Sequence, residues 1–148
     1  MNPGVEFTVR TAAPGDVPKM HRIRMSVREN HLSDPQRISE ASYAPFIAAR
    51  SAWVAESSGR VLGFAAIDAA AASVWALFVD PAAEGCGAGR ALHRRMVEWA
   101  REHGIEGLSL ATEAGTRAAG FYRRAGWTET GTDEDGQAVF ALVIGGAD

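Results

Sequence analysis

The stretch VDPAAEGCGAGR at 79–90 constrains the fold more than any other part of the 148-residue chain. An apolar, β-branched and aromatic run (SVWALFV, 73–79) precedes it. Apolar residues at helical spacing follow it at Leu92, Met96, Trp99 and Ala100, and Gly104 is placed to end that helix. Glycines 85, 87 and 89 therefore stand at a strand-to-helix junction. There they admit left-handed backbone and close approach of a ligand, and the amides opening the helix form an anion nest. The ligand this predicts is a phosphate or pyrophosphate. The plain alternative is a flexible turn.

Charge and cysteine content narrow the classes. With 15 basic against 18 acidic residues the chain carries −3 at pH 7, which argues against a general nucleic-acid binder. Lys19 is the only lysine and is followed by Met20, which excludes a Walker phosphate loop. Cys86 is the only cysteine, so neither a disulfide framework nor a multi-cysteine metal site is open to the chain. His21, His31, His93 and His103 lack metal-ligand spacing, and G-x-S-x-G is absent. No metal is expected.

The N-terminus shows no secretory pattern. The apolar stretch 61–79 has Asp68 in its middle, where a carboxylate costs about 3 kcal/mol in a membrane-spanning helix. Two strands joined by a turn at 68–73 explain it better. A cytoplasmic protein with no membrane partner is expected.

The remaining pattern predicts strands at 6–10, 52–56, 61–67, 108–112, 127–130 and 138–144. Helices are predicted from Asp16 as N-cap to Glu29, from Pro35 to Ala49, from Ala88 to His103 and over 116–125. The expected fold is a single α+β domain over 1–148, with a mixed, mostly antiparallel sheet of six or seven strands and about four helices. Charge is uneven: seven arginines against four acids over 88–125, then five acids and no base from 128 onward. Such asymmetry suits either a local anion site or ordinary solvated helix faces.

Two phosphate-binding readings compete. A dinucleotide fingerprint needs G-x-G-x-x-G directly after the strand. Here the spacing is G-x-G-x-G, Arg90 occupies the third-glycine position, and the chain has no room for a second mononucleotide half. The run from Phe78 through Leu92 instead resembles the acyl-CoA-binding motif of the GNAT superfamily of N-acyltransferases. Val79, Pro81, Gly87 and Gly89 match it, while Glu84 replaces the usual glutamine or arginine and Cys86 stands where a basic residue is common. The family's second motif is matched by Ala118, Tyr122, Gly126 and Trp127, with Gly115 in place of its asparagine. The resemblance extends over essentially the whole chain.

The resemblance implies direct acetyl transfer from acetyl-CoA to a primary amine on a small molecule or protein. It implies that Phe78, Val79, Glu84, Gly85, Cys86, Gly87, Ala88, Gly89, Arg90, Gly115 and Tyr122 line the donor site. The backbone N–H near Val79 would polarise the thioester, and Tyr122 would serve as general acid toward the leaving thiolate. Glu29, His31, Asp68, Glu84 and Glu113 all remain open as bases, and Arg28, Asn30, His31 and Trp75 are candidates to line the acceptor pocket. Cys86 reads as a small residue filling the loop rather than a nucleophile. A homodimer is compatible with the family, and a CoA-binding sensor without turnover is the rival, motivated by Glu84 and Gly115.

Overall fold

The computed structural model describes residues 6–27 and 38–145. Seven strands form one sheet, β1 (Thr8–Thr11), β2 (Ala52–Ser57), β3 (Arg60–Asp68), β4 (Ser73–Val79), β5 (Gly107–Thr112), β6 (Thr128–Thr132) and β7 (Ala138–Val143). Their order is β1-β2-β3-β4-β5-β7-β6. Every neighbouring pair is antiparallel except β4 and β5. The mixed sheet expected from the sequence is thus present, with seven strands.

Four α-helices flank it, α1 (Val17–Ser26), α2 (Ala44–Ala48), α3 (Ala88–Glu102) and α4 (Arg117–Arg124). β2 and β3 are buried on both faces because each face is covered, which is why their sequences are continuously apolar rather than alternating. On one face Leu92, Met96 and Trp99 of α3 and Ala119 and Tyr122 of α4 pack on Trp53, Ala65 and Phe140. On the other, Met20 and Ile23 of α1 and Tyr43 pack on Val54, Phe64 and Ala76.

Two helix boundaries differ from expectation. The first helix stops at Ser26, whose hydroxyl donates to the Ile23 carbonyl (2.7 Å), and Val27 is extended. Asp16 precedes α1 but makes no side-chain cap to it; its carboxylate accepts from the Ala13 amide and from Arg10 instead. The helix expected from Pro35 begins outside the described residues. Within them, Ile38 and Ser39 are not helical, a 3-10 turn runs Glu40–Tyr43, and α2 ends at Ala48.

Candidate active site

The site grows from the way β4 ends. β4 meets β5 only at Ser73↔Ser109, and the two parallel strands separate beyond that pair. On its other side β4 stays paired with β3 to the end, through Phe64↔Phe78 and Gly63↔Val79. The Asp80 amide donates to the Leu62 carbonyl (2.8 Å), which makes Gly63↔Val79 a non-hydrogen-bonded pair. In such a pair both residues turn N–H and C=O away from the partner strand. Val79, and Leu77 two residues earlier, therefore present their backbone groups to the gap left by β5. Backbone donors facing a gap between strands suit an extended chain carrying carbonyls.

Gly63 makes this register possible, and sequence reasoning missed it. A Cβ there would lie 2.7 Å from the Phe78 carbonyl oxygen and 3.3 Å from a Leu92 methyl. Only a glycine lets β4 and α3 close on β3 at that point. A bulge at Trp75 interrupts the same ladder, since Ala66↔Ala76 is followed by Ile67↔Val74. It brings Trp75 onto the α1–α2 face beside Ala76 and Phe78.

The glycine-rich loop closes the end of the gap. Asp80 caps a 3-10 turn over Pro81–Ala83 by accepting from the Ala82 amide (3.0 Å). Gly85 and Gly87 have φ of 86° and 94°, left-handed values that disfavour other residues, and Gly87 opens α3. Gly89 is needed for space instead: its Cβ would come 3.3 Å from a Val79 methyl. Ala88 is buried, Cys86 is half-buried against the α3–α4 core, and Arg90 is exposed in the first turn of α3. Glu84 pairs with Arg117, the first residue of α4.

Gly115 lies just before α4 with φ of 78°, and Thr116 caps the helix by accepting from the Ala119 amide (3.2 Å). Asparagine and glycine are the residues best suited to that backbone, so a glycine there preserves the turn. Tyr122 on α4 is buried, its ring at 5.4 Å from Trp127 and 6.2 Å from Phe140. Its hydroxyl makes no hydrogen bond to any described residue. Burial holds its pKa above the ordinary phenol value, so the group stays protonated at neutral pH.

Of the sequence-derived donor-site residues, Val79 ends β4, Glu84 to Arg90 form the loop that follows, and Gly115 and Tyr122 belong to the start and body of α4. Phe78 spends its backbone on β3 and turns its ring toward α1 and Phe64 (5.7 Å), away from the glycine loop. Trp75 shares that face, stacked on Phe46 at 4.3 Å. Arg28, Glu29, Asn30 and His31 lie outside the described residues. Two candidate bases are engaged elsewhere: Asp68 accepts from the Ala71 amide in the β3–β4 turn, and Glu84 holds Arg117.

A separate cavity of about 670 Å³ opens between α3, α4 and the end of β7, lined by Arg90, Arg94, Arg101 and Arg124 above Val97 and Phe121. It is not the β4–β5 gap. No group of three or more metal-ligating side chains occurs among the described residues.

Residues 18–127 match the acetyltransferase (GNAT) family. The chain belongs to the GNAT family of acetyltransferases. Its donor is acetyl-CoA. Solved structures agree in fold. Ard1 from Thermoplasma volcanium has a TM-score of 0.78 at 20% identity, covering 95% of this chain and 99% of that one. The yncA protein of Salmonella typhimurium, solved with acetyl-CoA, gives 0.77 at 21% identity over 97% and 96% of the chains. The ribosomal-protein-S18-alanine N-acetyltransferase of Escherichia coli gives 0.71 at 22% identity over 97% of each. No curated protein matches the sequence. Among the described residues, no helix is long and apolar enough to cross a membrane.

Proposed function

We propose that the protein moves the acetyl group of acetyl-CoA directly to a primary amine, with both substrates bound together in a single domain spanning the chain. The observation that carries this reading is the β4–β5 gap with the Val79 N–H turned into it. That N–H donates to the thioester oxygen and stabilises the charge that gathers there as the amine attacks. The amine nitrogen bonds to the carbonyl carbon, the C–S bond breaks, and the sulfur takes the Tyr122 proton; the amine sheds its own proton to water. Gly85, Gly87 and Gly89 open the loop so that its amides face the pyrophosphate, and Arg90 adds charge at its rim.

Glu84 and Gly115, the departures that motivated a sensor without turnover, both have structural roles here. One anchors α4 and the other keeps the left-handed turn before it. A named relative in fold acts on a protein alanine, and a primary amine is the acceptor class assigned here. The test is release of CoA thiol from acetyl-CoA with a broad amine panel, beside thermal shifts with acetyl-CoA and NADH. Thiol release with stabilisation by acetyl-CoA alone is expected. Stabilisation without thiol release for any amine would leave the sensor, and equal stabilisation by NADH would favour a dinucleotide site.

A further inference from the structure

The face of β4 opposite the glycine loop holds an arginine with an unused donor. Arg24, in the last turn of α1, lays its guanidinium over the ring of Trp75 (4.6 Å to the centroid) and over Phe78 (5.0 Å). Its Nη1 is sealed from solvent and has no hydrogen-bond partner. Tyr43 is the polar group beside it, and the Tyr43 hydroxyl is also 3.1 Å from His21 Nδ1. None of the ion pairs among the described residues uses Arg24.

An unpartnered charged donor is costly and calls for an explanation; Arg24 as a residue is only partly buried, so an anion reaching the exposed side of its guanidinium is one that would supply the missing charge. Burial lowers the pKa of Arg24 from the usual arginine value, and the neighbouring Tyr43 opposes that shift. Both rings contact the guanidinium; its planar fork of donors matches a carboxylate or a phosphate, and a single arginine balances the singly charged carboxylate. Its position is specific as well. Trp75 and Phe78 belong to the stretch of β4 whose opposite edge, at Leu77 and Val79, faces the gap assigned to the donor arm. Acetyl-CoA enters on the α3–α4 face at the glycine loop, so an acceptor held by Arg24 approaches the same strand from the other face.

We infer that Arg24 binds a carboxylate of the acceptor and that the acceptors are free amino acids, in which amine and carboxylate share one carbon. This rests on the acetyl-transfer reading above and adds the acceptor class to it.

The test compares kcat/KM for the amino acids with that for their decarboxylated amines, in the wild type, Arg24→Met and Arg24→Lys. Met keeps the packing of the stem and removes the charge; Lys restores charge without the fork. The wild type should favour amino acids over the matching amines by on the order of 10- to 100-fold. In Arg24→Met that ratio should collapse toward one through KM, and Arg24→Lys should recover part of it. A ratio near one in the wild type, or one that survives in a folded Arg24→Met, overturns the proposal and leaves acetyl transfer standing. The second readout is the thermal shift of the CoA-bound protein with the N-acetyl derivatives of the same amino acids. Stabilisation in the wild type that is absent in Arg24→Met supports the carboxylate site even if no turnover is found. No stabilisation by any of them in the wild type counts against it.

Discussion

Glu84 and Arg117 pair across the ends of the two strands that part company, joining the loop after β4 to the first turn of α4. Glu84 brings a carboxylate to the glycine-rich loop, where the family pattern has glutamine or arginine. The pair links the two segments that follow β4 and β5. Both side chains are substantially exposed, so the electrostatic effect is screened.

Glu84→Gln removes the charge and keeps the shape. Acetyl-CoA affinity is expected to rise about two- to fivefold at low salt, corresponding to roughly 0.5–1 kcal/mol for a screened surface charge. Titration calorimetry at low and high salt checks this, and the gain should shrink as salt rises. Weaker binding in the variant would mean that tethering Arg117 matters more than the repulsion.

His93 accepts a hydrogen bond from Trp127 Nε1 at its Nε2 (2.9 Å), so that nitrogen must be unprotonated. Burial lowers the pKa of His93 from 6.5. A histidine whose folded pKa is depressed contributes its full stability above the unfolded value and loses it as pH falls below. The melting temperature should therefore drop as pH is lowered from 7 through the 6.5 reference toward the depressed folded value. His93→Gln, which keeps an acceptor but cannot titrate, should flatten that slope. An unaltered slope in the variant would assign the acid sensitivity to other groups.

Gly63→Ala tests the register behind the Val79 amide. The added methyl meets the Phe78 carbonyl at 2.7 Å, and backbone cannot swing aside as a side chain can. A stability loss of about 1–3 kcal/mol is expected for overpacking of this kind. If the strands part to accept the methyl, the stabilisation conferred by acetyl-CoA should fall too. Denaturant unfolding with and without acetyl-CoA separates the two effects, and a variant equal to wild type in both would show the contact to be soft.

The strands and the long helix were legible because each carries its own signal: period, β-branching, or a glycine with one conformational task. Glycines 85, 87 and 89 announced the loop, although they serve it differently, two by left-handed backbone and one by clearance from Val79. Gly63 was not legible, because what it meets lies on β4 and α3, remote in sequence. Arg24 was hidden for the same reason. Nothing in VPKMHRIRMS distinguishes the arginine that stacks on Trp75 from its exposed neighbour Arg22; only the tertiary fold supplies the aromatic rings. The end of α1 at Ser26, with Val27 extended, was not legible because the helical pattern runs on past it.

Tyr122→Phe isolates the proposed proton donor unusually well. The ring packs against Phe121, Trp127 and Phe140, contacts that phenylalanine keeps. The hydroxyl makes no hydrogen bond to any described residue, so its removal costs no native partner and the melting temperature should hold or rise slightly. A group whose task is to protonate the leaving thiolate should instead show itself in turnover. The expected loss is on the order of 10²-fold in kcat, the low end for a positioned acid, because water can reach a departing thiolate in its place. Acetyl-CoA affinity should change little, since the contact strengthens only as charge develops on sulfur. Burial raises the phenol pKa above 10, so Tyr122 should add no alkaline limb to the wild-type kcat profile below that pH. Steady-state kinetics, acetyl-CoA titration and thermal unfolding on the same preparations decide the matter. Unchanged kcat with normal folding would make Tyr122 a packing residue, and the proton would then have to come from solvent.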